Sequence, residues 1–158
     1  MRNQKGFSLI ELLIVVAISG IVASIAIPNL IASRRTANEG STQSSLRTIF
    51  SGQVTYQATN GSGAYATDLT TMGSVRIIDS TLASGTKSGY TFAVVEQAGT
   101  GWGAVYGCYG FPVTTSGIGA TGTRRFGITE AGVMRVDTTI VTTPNTRALI
   151  NGMSALNN

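Results

Sequence analysis

The sequence predicts an α+β fold, a long N-terminal α-helix packed on a small antiparallel β-sheet of three to four strands. Three observations carry that expectation: an unbroken apolar run from Phe7 to Ile27, a helical stripe in the residues that follow, and alternation punctuated by glycine turns from Tyr90 onward. At 158 residues the chain holds at most one ordinary domain beyond the apolar run. Hydrophobic residues make up 42% and charged ones 11%, so Thr, Ser and Asn supply most of the polarity. Histidine is absent and cysteine occurs once, at Cys108. That inventory excludes an intrachain disulfide, a thiol-rich metal centre and any catalysis that needs an imidazole.

The first element is set by the apolar run, 21 residues long. As α-helix it spans about 31 Å, the thickness of a bilayer's hydrocarbon core. Arg2 and Lys5 precede it and no cation follows until Arg34 and Arg35, which leaves the start on the cytoplasmic side. A conventional secretory signal is the rival reading, with Ser24-Ile25-Ala26 as small residues at a cleavage site. The run exceeds the roughly 7–15 residues of a secretory apolar region. It also contains Glu11, an acid that costs about 2.5–3.5 kcal/mol at the centre of a membrane helix and so calls for a partner. Ala17, Gly20, Ala23 and Ala26 are small enough for close helix approach. Pro28 lacks the N–H that the Ser24 carbonyl needs, and is expected to bend or loosen the helix there.

The octapeptide Lys5-Gly6-Phe7-Ser8-Leu9-Ile10-Glu11-Leu12 resembles the prepilin signature of type IV pilins and of the pseudopilins of type II secretion. The resemblance covers about the first 30 residues, Pro28 falling where that family has a helix-bending proline. It implies that a membrane-embedded prepilin peptidase cuts between Gly6 and Phe7 on the cytoplasmic side and that the new Phe7 amine is methylated. It implies four segments: a leader at 1–6, a transmembrane and filament-core helix at 7–28, an amphipathic helix at 29–59 and an α+β head at 60–158, a pilin roll. Cleavage would leave the Phe7 amine one helical turn from Glu11 on the same face. A neighbouring subunit's amine then offers the carboxylate its partner, which makes Glu11 a docking group for assembly. The alternative is that Glu11 pairs only with its own Phe7 amine. The implied partners are further copies in a helical filament, the prepilin peptidase, the inner-membrane pilus assembly machinery and, before assembly, the membrane. No cofactor is implied. Loss of Arg2 and Lys5 with the leader reduces the formal charge from +4 to about +2, a weakly charged surface.

From 29 to 59 continuous apolarity ends but Leu46, Ile49, Phe50 and Val54 keep helical spacing, one stripe facing the sheet, with Gly40 and Gly52 as weak points. Arg34, Arg35 and Arg47 read as a solvated helix face or as contacts to a neighbouring subunit's acids, and nucleic acid is not indicated as a partner. Asn60-Gly61-Ser62-Gly63 ends the helix. Tyr65, Leu69 and Met72 are expected at the helix–sheet junction, and 74–82 reads equally as strand or short helix. The run Tyr65-Ala66-Thr67-Asp68-Leu69 with Gly73 resembles a segment of bacterial pilins and major pseudopilins. Strands are expected over Tyr90–Glu96 and Val105–Val113, the second with Val105, Tyr109, Phe111 and Val113 on one face and Pro112 at an edge or strand end. Arg124–Ile128 and Val133–Val136 flank Thr129-Glu130-Ala131-Gly132, a hairpin turn. The tail from Thr138 to Asn158, with an apolar patch at Ala148, Leu149 and Ile150, is expected to strap onto the sheet edge.

Asp68, Asp79, Glu96, Glu130 and Asp137 are the acids from which a glycosidase-like pair could be drawn, but they are scattered over a Gly/Thr-rich head and read as solvated. Cys108 reads as a half-buried inert thiol, and Trp102 and Tyr106, on or near a loop, as the aromatics to suspect in a DNA-binding head. Many major pilins staple the C-terminal region with a disulfide, for which Cys108 has no partner. Major pseudopilins often bind calcium through acids in the C-terminal loops; here Ile118–Thr123 has none, and Glu130 and Asp137 make a poor oxygen cage. The sequence therefore reads as a non-enzymatic type IV pilin subunit, in the inner membrane before assembly and extracellular after it. The alternatives are a pseudopilin of a periplasmic pseudopilus, or a minor pilin with an adhesive or DNA-binding head.

Overall fold

The computed structural model describes residues 6–138 and 142–156, apart from the side chain of Glu96. Arg2 and Lys5 of the expected leader lie outside the described residues. The first helix, α1, runs Leu9–Thr59 and passes through Pro28, Gly40 and Gly52 without interruption. Two compact units divide the chain, residues up to Arg34 and residues from Arg35 onward.

In the first unit the apolar side chains from Phe7 to Leu30 are exposed around the whole helix, not along one stripe. A helix apolar on every side needs lipid or other helices for burial. It is long and apolar enough to cross a membrane. Ser24 Oγ donates to the Ile21 carbonyl at 2.7 Å, so that hydroxyl adds no unsatisfied donor to the apolar segment.

The second unit is built on the rest of α1. Two short helices follow, α2 (Leu69–Ser74) and α3 (Ser80–Ala83), which resolves 74–82 in favour of helix and turn. Strands β1 (Thr86–Lys87), β2 (Tyr90–Ala98), β3 (Val105–Pro112), β4 (Arg125–Thr129) and β5 (Arg135–Asp137) form an antiparallel meander. Helix α4 (Arg147–Asn151) and strand β6 (Ser154–Ala155) complete it. The four expected strands are present, and two-residue pairings at either edge extend the sheet to six. Gly132, at φ +73°, closes the β4–β5 turn with its N–H on the Thr129 carbonyl.

The core lies between α1 and one face of the sheet. Leu46 and Ile49 are fully buried there with Tyr90, Phe92, Tyr106, Cys108, Phe126 and Ile128, and Leu69, Met72, Ile78 and Leu82 close one end. Each such aliphatic side chain contributes about 1.5–3 kcal/mol on burial. Val54, expected on the stripe, is exposed; Gln53 is buried in its place. Its amide makes a reciprocal pair with the Ala66 backbone, Nε2 donating to the carbonyl at 3.1 Å and Oε1 accepting the N–H at 2.7 Å. The chain beyond α1 is thereby tied back to the helix, and a buried polar group is satisfied. Gly52 is likewise no weak point: a Cβ there would meet Ile77, Ile78 and Met72 at 3.1–3.4 Å, so its missing side chain lets the following segment close on the helix.

Strand β3 keeps the expected grouping of its faces. Its core face carries Tyr106 and Cys108, whereas Val105, Tyr109 and Phe111 are half-buried on the other side and Val113 is exposed beyond the strand. Pro112 ends β3, which is an interior strand between β2 and β4. The tail is more than a strap. Strand β6 pairs with β5 at the edge, while Ile150 of α4 is fully buried where side chains on Gly107 of β3 and Gly127 of β4 would collide with it. Ala148 and Leu149 stay exposed.

Candidate functional site

Gly6, Phe7 and Ser8 precede the helix in non-helical conformation and are exposed, Phe7 at 88%. Ser8 is the last residue before α1, and Ser8-Leu9-Ile10-Glu11 places an acid three residues after a serine at a helix start. Glu11 Oε2 accepts the Ser8 N–H at 2.8 Å. This is the acidic half of a capping box, and the carboxylate also sits at the positive end of the helix dipole. One carboxylate oxygen is thus committed locally, and among the described residues the other accepts no hydrogen bond. The Ser8–Glu11 bond involves no atom of the leader, so removal of residues 1–6 leaves both partners in place. Glu11 faces an apolar surround with Phe7, Leu12 and Val15 beside it.

The other residues singled out in the sequence fall into structural roles. Asp68 caps α2, its Oδ1 accepting from the Thr70 hydroxyl and the Thr71 N–H at 2.6 Å each; these bonds hold its carboxyl down at about 2. Asp79 caps α3 through the Leu82 N–H at 2.8 Å, the main cause of its lowered pKa, and contacts Lys87 at 3.5 Å. Glu130 is ion-paired with Arg147, which holds it below the usual carboxylate range, and Asp137 pairs with Arg125 at 2.7 Å. Each of these four acids is therefore engaged in a structural contact, and the side chain of Glu96 lies outside the described residues. Among the described residues no cluster of three His, Cys, Asp or Glu could hold a metal ion.

Arg35 donates to the Gly117 and Ala120 carbonyls at 2.8 and 3.2 Å, so it fastens the β3–β4 loop and is not part of an open basic face. Tyr106 is fully buried, its ring against Tyr65 at 4.6 Å between centroids, and only Trp102 of the two suspected aromatics reaches solvent. Cys108 is completely buried, not half-buried, because the α1 stripe covers its face of β3; burial pushes its thiol far up. A maleimide should leave native protein unlabelled over hours and modify Cys108 at once in denaturant. Rapid labelling of the native chain would show that this part of the core opens readily.

Two residues escaped the sequence reading. The Ser8 cap was visible as a serine followed three residues later by Glu11. Glu39, buried on α1, gave no local signal, because its partners Thr123 and Arg124 lie more than eighty residues away.

The N-terminal segment also matches known proteins. Residues 1–27 match the model of the prokaryotic N-terminal methylation motif. The chain is 50% identical over 62 residues to the type IV wide pilus major component PilA4 of Thermus thermophilus, covering 39% of this chain and 47% of that protein. It is 42% identical over 54 residues to the type IV major pilin protein PilA of Myxococcus xanthus, 34% of this chain and 24% of the relative. It is 46% identical over 39 residues to the type II secretion system core protein G of Vibrio cholerae, 25% of this chain and 27% of the relative. The matches span less than half the length of these relatives, and no solved structure matches. The likeness to type IV pilins and to a type II secretion core protein thus lies in the N-terminal segment, and it goes together with a long apolar-to-amphipathic helix packed on an antiparallel sheet.

Proposed function

We propose that this chain is a structural subunit of a type IV pilus. It enters the inner membrane with its start in the cytoplasm, loses residues 1–6 to a prepilin peptidase, is methylated on the Phe7 amine, and polymerises through the 7–28 helix with its 60–158 head outside. The observation that carries this reading is the exposure of apolar side chains on every side of the first unit, headed by the Gly6-Phe7 linkage and Glu11. Such a surface is satisfied by lipid before assembly and by copies of the same helix after it. The free oxygen of Glu11 then meets a neighbouring Phe7 amine, and the pairing sets the axial register between subunits.

The match to a type II secretion core protein supports a second reading, a periplasmic pseudopilus subunit. The commitment of Glu130 and Asp137 to arginines favours the pilus, since it occupies the acids nearest the C-terminal loops.

Mass spectrometry of filaments sheared from cells tests both. An N-terminal peptide beginning at methylated Phe7, lost in a Gly6→Ala chain that stays unprocessed, is the expected result. The same peptide confined to the envelope fraction would favour the pseudopilus. An N-terminus at Ile27, or normal maturation of Gly6→Ala, would overturn the processing scheme.

A further inference from the structure

Trp102 has no role in the fold. It is fully exposed at the tip of the β2–β3 connection, in a Gly101–Gly103 turn, while the other large aromatics of the second unit are buried or half-buried. Tryptophan offers the largest apolar face of any side chain and is seldom left wholly in water.

The turn that presents it is held in place. The Gly101 N–H donates to the Gly63 carbonyl at 2.8 Å, and Gln57 Nε2 of α1 donates to the carbonyls of Gly63 and Gly101 at 3.1 and 3.2 Å. Gly63 and Gly101, at φ +92° and +63°, have backbone conformations that side chains resist. The turn that carries the indole is therefore anchored, and its backbone needs little further ordering before any ligand arrives.

Beside it lies a cleft of about 560 Å³ lined by Gln57, Tyr65, Trp102, Ala104 and Glu130, within the size range of small-ligand sites. Tyr65 is backed by a tilted ring contact with buried Tyr106. The polar groups around the cleft suit hydroxyls: the Gln57 amide has an oxygen to accept with, and the Tyr65 phenol both donates and accepts. Glu130 is neutralised by its ion pair with Arg147, so the lining favours neither an anion nor a cation.

We propose that this cleft is a saccharide-binding site, in which a neutral pyranose lays the C–H face of its ring on the Trp102 indole and bonds its hydroxyls to Gln57 and Tyr65. The inference goes beyond the filament-subunit reading and holds for a pilus or a pseudopilus alike. A neighbouring subunit seated on Trp102 is the competing occupant.

Trp102 is the sole tryptophan, so its fluorescence reports the site directly. The full-length chain in detergent micelles is titrated with lactose, cellotetraose, chitotetraose and inorganic phosphate up to about 10 mM, a range that covers millimolar dissociation constants. The expected result is a saturable change in indole emission with at least one saccharide and none with phosphate, and loss of retention on the matching saccharide resin by Trp102→Ala. No spectral change with any of the three sugars, an equal change with phosphate, or wild-type retention of Trp102→Ala overturns the proposal. Trp102→Phe guards against a folding artefact: it keeps a ring and should retain part of the binding. If Trp102→Ala is instead excluded from filaments while sugars leave the wild-type spectrum unchanged, the indole is a subunit contact.

Discussion

A Glu11→Ala chain should insert and be cleaved like wild type yet yield about tenfold fewer filaments or less, a step equivalent to about 1.4 kcal/mol per subunit added. Two contributions are lost together in that variant. One is the bond from the Ser8 N–H, a capping interaction worth about 1 kcal/mol to the start of the helix. The other, on the docking role proposed above, is the attraction between a carboxylate and an ammonium in an apolar surround, where each charge without the other costs several kcal/mol. Glu11→Gln separates the two. Glutamine serves as well as glutamate at that position of a capping box, so the Ser8 bond survives, but it carries no charge to set against the Phe7 amine. If register depends on charge, Glu11→Gln assembles as poorly as Glu11→Ala while both are processed. If Glu11→Gln gives wild-type filament yield, the side chain acts as a helix cap and the docking role falls. Electron microscopy with quantified pilin in the sheared fraction, normalised to processed chain in the envelope, reads the difference.

The parts of the molecule legible in the sequence are those whose cause is local. The Phe7–Ile27 run declares itself because partition into lipid depends on the composition of one segment. The β4–β5 turn declares itself because Gly132 supplies a positive φ between two apolar stretches. Which face of β3 meets the core could not be assigned the same way. A period of two leaves the phase undecided by one residue, and both faces of this strand are covered, by α1 on one side and α4 on the other. Tyr106 and Cys108 consequently lie deeper than alternation indicated. Gln53 and Glu39 were missed for another reason. A buried polar side chain is stable only with its partners, and those partners are the Ala66 backbone in one case and Thr123 and Arg124 in the other. Apolar spacing pointed to Val54 where a satisfied glutamine takes the buried place. Trp102 was suspected together with Tyr106, and of the two it is the one that reaches solvent, but the cleft beside it depends on the Gln57 bonds to the 63 and 101 carbonyls, which no spacing announces.

The largest stability effect is expected at Glu39. Its Oε1 accepts the Thr123 N–H and hydroxyl at 2.8 Å each, and its Oε2 meets Arg124 at 2.7 Å. Arg35, Asn38 and Glu39 share one face of α1, and all three bind the loop between β3 and β4, Asn38 through the Thr121 carbonyl at 2.9 Å. Glu39→Ala strands the Thr123 amide and leaves Arg124, which is partly exposed, to be hydrated. The cost should be about 2–4 kcal/mol, below the upper end for a fully buried pair because the cation keeps access to water. Glu39→Gln keeps an acceptor for Thr123 and should lose about half as much. Burial alone would raise the Glu39 pKa, but the Thr123 amide and hydroxyl together with Arg124 outweigh it and bring the net value below that of a free glutamate. A carboxyl lowered on folding stabilises above its unfolded pKa, and that contribution fades as the pH falls toward and through the folded value. Thermal melts of the full-length chain in detergent should therefore show a gap between wild type and Glu39→Gln that is widest near neutrality and narrows on acidification below about pH 4.5. A gap that stays constant with pH, or a Glu39→Ala chain that melts with wild type, would mean that Arg35 and Asn38 hold the loop without the carboxylate.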